Sequence, residues 1–403
     1  TGDTAWVLVS SAFVLSMLMP GLALFYGGLV RTKNVLGTIM QSVMILSVVS
    51  LLWILFGYSL AFGPDKGGVI GGLEWVGLSG VGSEPHPVYG PTIPHQAFML
   101  FQLMFAAIAP ALITGAFAER KRFTSVVLFA ALWSVFVYVP LAHWIWGGGW
   151  LAKLGALDFA GGAVIHISSG AAALVCAIVL GKRRGYGTDY MAPHNLPMTL
   201  LGTGFLWFGW FGFNGGSALG ANGIAVSAII ATHAAAAMGA IAWCGAEWAH
   251  RGKPTVLGVA SGAVAGLATV TPAAGYIAPM SAIAIGLVAG MTCYAAIVWK
   301  GRFGYDDSLD VVGIHGVGGV IGILATGLFA SKVVNPGGAD GLFFGNPGLF
   351  GIQLLVAAVT TIFSIIGTFV ILKLVDSMTG LRVSSEEEAT GLDLSQHNER
   401  AYS

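Results

Sequence analysis

The stretch DFAGGAVIHISSGAAALVCAIVL, residues 158–180, is long and apolar enough to cross a bilayer, yet it carries His166 within its length. About 20 apolar residues are needed to span the hydrocarbon core. A second run, DVVGIHGVGGVIGILATGLFA at 310–330, again places a histidine, His315, after an aspartate and glycines. Because an ionisable side chain inside a membrane span faces a cavity or pathway by default, the repetition indicates a paired function.

The composition predicts the class of protein. Of the 403 residues, 56% are hydrophobic and only 9% are charged, whereas a soluble domain carries about 25% charged residues. We therefore predict an all-α polytopic membrane protein, because a transmembrane barrel would show alternating segments of about ten residues. The 60 glycines indicate closely packed helices. The 18 basic and 18 acidic residues balance, so the charge gives no reason to expect a nucleic-acid partner.

Glycine, proline and charged residues divide the chain into eleven apolar runs, which we predict to be transmembrane helices. Their approximate bounds are 5–29, 39–62, 95–118, 124–145, 161–181, 197–217, 223–248, 255–273, 278–298, 311–331 and 347–375. Fifteen of the 18 Lys and Arg fall on the tail and on one set of connections, while Lys66, Lys153 and Lys332 fall on the other set. Since positive charge collects in cytoplasmic loops, we predict an external N-terminus and a cytoplasmic C-terminus.

The chain is expected to have two parts, a transmembrane domain at 1–375 and a cytoplasmic tail at 376–403. The tail contains the one long polar segment of the sequence, LRVSSEEEATGLDLSQHNERAYS. It is either a solvated, partly disordered end, in which Glu386, Glu387 and Glu388 are ordinary solvated charges, or a docked regulatory segment.

The two histidine-bearing runs predict an inverted repeat of spans one to five and six to ten, with span eleven added. Asp158 precedes span five on the external side and Asp310 precedes span ten on the cytoplasmic side. At about 1.5 Å per residue, His166 lies roughly 12 Å from Asp158, and His315 roughly 7.5 Å from Asp310. Both rings therefore approach the bilayer centre, where transporters built from inverted repeats hold their substrates.

Each polar residue in these runs has a structural and a functional interpretation. A single buried histidine is usually satisfied by a backbone carbonyl, but two at matching places favour a pathway. A zinc site would need three or four ligands, and we predict neither metal nor cofactor. Asp158 can cap span five, and it can also favour a cation at the external mouth. Asp310 is predicted to cap span ten in the same way.

Aromatic residues cluster near the predicted external mouth. Phe101 and Phe105 are four apart on span three, as are Phe213 and Ser217 at the end of span six, and Trp146 follows span four in WIWGGGW. Alone, each is usually packing, but together they offer ring faces and a hydroxyl to a small cation. A cation costs from about 3 to more than 10 kcal/mol at the bilayer centre. Ammonium avoids much of that cost by shedding its proton.

The whole chain resembles the ammonium transporter family (Amt, with its Mep and Rh relatives), and most closely a bacterial or archaeal Amt. The stretches that carry the resemblance are GDTAWVLVSSAFVLSMLMPGLALFYGGLVR, FQLMFAAIAPALITGAFAER, WGGGWLAKLGALDFAGGAVIHI, FGWFGFNGGSA and DVVGIHGVGG. The pairing of DFAGG and a histidine with D-x4-H-G is specific to this family.

The resemblance implies a role for each site residue. The external recruitment site for ammonium would comprise Phe101, Phe105, Trp146, Ser217 and Asp158. Phe105 and Phe213 would be the rings that close the pore, and His166 and His315 its twin histidines.

The resemblance also implies a homotrimer in the cell (inner) membrane, with methylammonium as a substrate analogue. Its tail would work with a PII signal protein at the cytoplasmic face. An enzyme is not expected, since the sequence offers no nucleophile–base set and no cofactor loop. The alternative is an ammonium sensor of the same fold with little flux.

Overall fold

The computed structural model describes residues 2–402, which form helices joined by short connections. Each of the eleven predicted spans coincides with one helix. The helices are α1 Gly2–Leu29, α2 Thr32–Phe62, α3 His95–Phe117, α4 Phe123–Lys153, α5 Gly162–Leu180, α6 Leu196–Gly216, α7 Gly223–Arg251, α8 Val256–Val270, α9 Pro279–Phe303, α10 Val312–Phe329 and α11 Pro347–Thr379. By length and composition, ten of them could cross a membrane, and α8 is a shorter apolar helix.

Small elements complete the fold. A turn at 146–149 interrupts α4. The connection between α2 and α3 contains two antiparallel hairpins, which the prediction of helices alone did not include. Their strands are β1 Asp65–Lys66, β2 Ile70–Gly71, β3 Pro85–His86 and β4 Gly90–Pro94. Two short helices, α12 Ser385–Thr390 and α13 Leu392–His397, lie in the tail.

Side-chain caps fix where several helices begin. Asn195, Asn222 and Thr255 precede α6, α7 and α8, and the side chain of each accepts from a backbone amide in the first turn. Such a cap satisfies amides that have no partner within the helix. The sequence therefore encodes these boundaries locally, which explains why predicted and observed ends agree within a few residues.

The cap of α10 differs from the prediction, which gave this role to Asp310. The amide of Val312 donates instead to Oδ2 of Asp307, at 2.8 Å, and burial raises the pKa of Asp307 to about 6. Asp310 has a left-handed backbone, with φ of 63°, and its carboxylate pairs with Lys300. The predicted cap is wrong because the backbone of Asp310 is left-handed and its carboxylate is paired with Lys300.

The tail is docked against one end of the helix bundle, which we call the tail end. Glu388 is buried, pairs with Arg382 at 2.7 Å and accepts from the amide of Arg184 at 2.6 Å. The amide of Leu392 donates to the side chain of Asn34 at 2.8 Å. The geometry therefore matches the docked alternative. Of the three consecutive glutamates, Glu386 alone is exposed.

The connections at the tail end are joined by a buried ion network. Glu119 pairs with Arg31 and Arg183, at 3.0 and 3.1 Å, and Arg183 pairs with Asp306 at 2.9 Å. Arg31 follows α1, Glu119 follows α3, Arg183 follows α5 and Asp306 follows α9. The connections after these helices therefore meet at one end of the bundle, as expected for helices that alternate in direction.

The helices that carry the two histidines touch through glycine. A Cβ added to Gly170 of α5 would lie 2.2 Å from the backbone of Gly316 in α10. A Cβ added to Gly316 would meet Gly170 at an ordinary 3.4 Å. Only at position 170, therefore, does the contact require glycine.

We expect Glu388→Ala to release the tail, because it leaves Arg382 and the amide of Arg184 without their acceptor. Loss of hydrogen bonds to a charged group costs about 1.5–3 kcal/mol, so tryptic cleavage at Arg382 should accelerate about tenfold or more. Glu386→Ala is the matched control and should cleave like the wild type. Equal cleavage of both variants would contradict the docked arrangement.

We expect Gly170→Ala to push α5 and α10 apart, at a cost of about 1–3 kcal/mol for overpacking. The midpoint of thermal unfolding in detergent should fall, whereas Gly316→Ala should leave it nearly unchanged. The reverse order of the two variants would show that the helices do not approach as described.

Candidate functional site

The two histidines lie together at the centre of the bundle. Nδ1 of His166 is 3.1 Å from Nδ1 of His315, and the rings are stacked with centroids 5.1 Å apart. Both side chains are buried. Each belongs to a π-helical turn, at Gly162–Ile167 and Val312–Val317, and such turns are frequent at functional sites. The structure thus brings together the two residues that the sequence pairs.

A small apolar cavity adjoins the pair. Its volume is about 10 Å³, near the lower limit for one water molecule. Within residues 2–402, Nε2 of His166 is buried without a hydrogen-bond partner. The pair therefore offers hydrogen-bonding nitrogen to a solute in an otherwise apolar passage.

A much larger cavity, the vestibule, opens at the end of the bundle opposite the tail. Its volume is about 660 Å³. All five residues predicted for recruitment line it, namely Phe101, Phe105, Trp146, Asp158 and Ser217. These residues are spread over more than 100 positions of the sequence, and four separate segments of the chain bring them together.

Aromatic rings separate the vestibule from the small cavity. The centroids of Phe105 and Phe213 are 4.4 Å apart. Phe105 lines the vestibule and Phe213 lines the small cavity. Phe101 and Trp146 pack edge-on against Phe105, with centroid distances of 4.8 and 5.9 Å. A solute moving between the cavities has to displace these rings.

Asp158 caps the helix that carries His166. Its Oδ1 accepts from the amides of Gly161 and Gly162, and its Oδ2 from those of Ala163 and Val164, at 2.6–3.2 Å. Both carboxylate oxygens are thus engaged by the backbone of α5 and its preceding turn.

Two further hydrogen bonds fix side chains that line the vestibule. The indole Nε1 of Trp146 donates to the backbone carbonyl of Asp158 at 2.8 Å, which ties a predicted recruitment ring to the cap. The hydroxyl of Ser217 donates to the carbonyl of Phe213 at 2.8 Å. Because that hydroxyl proton is used, the oxygen lone pairs of Ser217 remain to accept from a donor in the vestibule.

Trp210 also belongs to this site, although it was not predicted from the sequence. Its ring stacks on His166 with centroids 5.6 Å apart, and its Nε1 donates to Thr271 Oγ1 at 2.8 Å. Trp210 lies three residues before Phe213, hence on the same helical face, and this spacing could have identified it. Gln102, Tyr276 and Asn335 also line the vestibule, but their sequence surroundings gave no signal.

A third cavity, of about 190 Å³, lies at the tail end. It shares Phe25, Leu309 and Ile314 with the small cavity. Arg183 and Asp310 also line it. Asp310, wrongly predicted to cap α10, thus lies at the tail-end opening beyond His315.

Comparison with curated proteins gives full-length relatives. An ammonium transporter of Bacillus subtilis is 53% identical over 402 residues, which cover 100% of this chain and 98% of the relative. Ammonium transporter Amt1 of Archaeoglobus fulgidus is 50% identical, over 100% of this chain and 99% of the relative.

Comparison with solved structures gives the same fold. Mep2 of Saccharomyces cerevisiae superposes with a TM-score of 0.89 and 38% identity, covering 96% of this chain and 88% of that one. A structure titled Sensor Amt Protein has a TM-score of 0.88 and 30% identity, with 98% of each chain covered. The sequence model of the Ammonium Transporter Family matches residues 5–402. With its fold, its full-length relatives and this match in agreement, the chain belongs to the ammonium transporter family.

Proposed function

We propose that this protein recruits ammonium in the vestibule, removes its proton, and passes ammonia through a hydrophobic pore lined by His166 and His315, with or without a separately carried proton. The observation that carries the proposal is the order of the compartments. An aromatic vestibule of about 660 Å³ leads to two packed rings, a cavity of about 10 Å³ and a pair of hydrogen-bonded imidazoles.

The vestibule suits a small cation that carries N–H donors. Phe101 and Trp146 line it, and a cation near an aromatic face gains about 0.5–2 kcal/mol. Ser217 supplies a hydroxyl oxygen whose own proton is already donated. Ammonium would therefore find ring faces and an acceptor together, whereas sodium or potassium is usually held by several oxygens.

The passage beyond the rings suits a neutral molecule. A hydrogen bond between two Nδ1 atoms requires one ring to donate and the other to accept, and we assign this from the geometry. In a neutral pair, one Nε2 then carries a proton and the other a lone pair. Ammonia, which both donates and accepts, can bind either ring without burying a net charge.

The same proposal sets the topology. Eleven crossings with the vestibule outside and the tail in the cytoplasm agree with the fifteen basic residues on the tail-side segments and with the positive-inside rule. The inverted repeat is supported by the matching π-helical turns around His166 and His315. Residues 1–375 are then the transport domain and 376–403 the regulatory tail.

Assembly and regulation follow from the family resemblance. We propose a homotrimer in the cell membrane, surrounded by lipid, that meets a PII signal protein at its tail end. The docked tail supports the regulatory part of this proposal, because Glu388 and Leu392 link it to connections between the helices.

A sensor with little flux is the competing function, since one similar structure is titled Sensor Amt Protein. Reconstitution into liposomes separates the two functions. An ammonium-evoked current or methylammonium uptake is expected of the transporter. Binding of ammonium without either signal would instead assign a sensor.

We expect Trp146→Leu combined with Ser217→Ala to weaken apparent ammonium affinity about tenfold or more, because a cation–π contact and an acceptor are lost. The maximal rate and the fold should change much less. Trp144→Leu is the control, since Trp144 packs on Phe363 and is absent from the vestibule lining. An unaltered concentration dependence of the double variant would refute the recruitment site.

We expect replacement of both His166 and His315 by Ala to abolish transport or its selectivity, because the passage loses its hydrogen-bonding nitrogens. The measurement is ammonium-evoked current, with potassium as the competing cation. His233→Ala, an exposed histidine on α7, should behave like the wild type. Selective flux that persists unchanged in the double variant would exclude the central role of the pair.

A further inference from the structure

A second buried histidine arrangement lies behind the vestibule. His143 precedes Trp146 by one helical turn on α4 and is fully buried. Its Nδ1 lies 2.9 Å from the carbonyl oxygen of Ala61, and its Nε2 lies 2.9 Å from Oδ1 of Asp65. Both ring nitrogens are therefore engaged by residues at or just beyond the end of α2.

The two partners of His143 are both hydrogen-bond acceptors. A carbonyl oxygen can only accept, so Nδ1 donates to Ala61. Hydrogen bonds from Lys153 and His143 lower the pKa of Asp65 to about 2, so Asp65 is a carboxylate and also accepts. The ring of His143 is therefore held between two acceptors, one at the end of α2 and one just beyond it.

Asp65 also ties down the turn on which Trp146 sits. Its Oδ1 accepts from the amide of Gly68 at 2.7 Å, and the carbonyl of Gly68 accepts from the amide of Trp150 at 3.0 Å. Oδ2 pairs with Lys153 at 2.5 Å. Two hydrogen bonds therefore hold the turn at 146–149 in place. One joins His143, before the turn, to Asp65, and the other joins Trp150, after the turn, to Gly68.

The turn itself has little room to move. The amide of Gly149 donates to the carbonyl of His143 at 2.9 Å. A Cβ on Gly147 would lie 2.0 Å from the carbonyl oxygen of Ala61. The backbone of Trp146 is therefore packed directly on the end of α2, and its indole donates to the carbonyl of Asp158, which also lines the vestibule.

We propose that Asp65 and His143 are positioning residues that hold Trp146 over the vestibule and thereby set the apparent affinity for ammonium. This inference rests on the proposed function. Neither residue lines the vestibule, so they act through the turn. Displacing the turn would move the indole face from the cation, and binding would weaken while the passage beyond Phe105 stayed intact.

The effect should appear in the concentration for half-maximal ammonium-evoked current rather than in the maximal current. Asp65→Leu removes the acceptor, and we expect this concentration to rise about threefold to tenfold, from partial loss of the cation–π contact. Asp65→Asn should stay near the wild type. The oxygen of the asparagine can still accept from His143 and from the amide of Gly68, while its amide group faces the largely exposed Lys153.

A double-mutant cycle tests whether the effect passes through Trp146. In a Trp146→Leu background, Asp65→Leu should raise the half-maximal concentration no further, because coupled residues are non-additive. Additive effects, or a wild-type value for Asp65→Leu alone, would overturn the positioning role. An unchanged value for Trp146→Leu alone would instead count against the recruitment site itself.

If Asp65→Leu does not fold, Asp65→Glu tests the same positioning role. It keeps the charge but moves the carboxylate by one methylene, so the half-maximal concentration should rise while thermal stability stays close to the wild type. A wild-type concentration for this variant would overturn the inference. Lys153→Met is the control, because Lys153 is largely exposed and exposed ion pairs contribute little.

Discussion

The hydrogen bond between His166 and His315 is the constraint on which the rest of the structure depends. Two rings 3.1 Å apart at Nδ1 require α5 and α10 to touch, and the contact at Gly170 leaves no space for a Cβ. Both helices begin in irregular turns that need their own amide acceptors, and Asp158 and Asp307 supply them. Packing, capping and chemistry at the centre are therefore parts of one arrangement.

From the vestibule to the histidine pair, the cavities become smaller and more apolar. The vestibule is wide and lined by aromatic faces, which we propose to receive the cation, while the cavity beyond Phe105 and Phe213 has room for about one water molecule. An ion that loses its hydration shell there would find no opposite charge to replace it. In the proposed mechanism, the protein therefore discriminates by charge at the rings and by hydrogen bonding at the imidazoles.

The sequence predicted the helices well, because hydrophobic length, glycine and capping residues are local signals, and the structure brings the predicted vestibule residues and the two histidines together. It failed where the outcome depended on tertiary partners. Asp310 has the spacing of a cap, but Lys300 engages it and Asp307 takes its place. The spacing of Trp210 to Phe213 could have revealed Trp210. The π-helical turns and the link from Asp65 through His143 to Trp146 have no periodic pattern in the sequence that would reveal them.

The central claim is that a neutral histidine pair passes ammonia while excluding cations that have no proton to lose. Potassium resembles ammonium in size and charge but cannot be deprotonated, so it tests this claim most directly. On proteoliposomes containing the wild-type protein, we predict a current with ammonium and none with an equal gradient of potassium. A potassium current of comparable size would contradict the account.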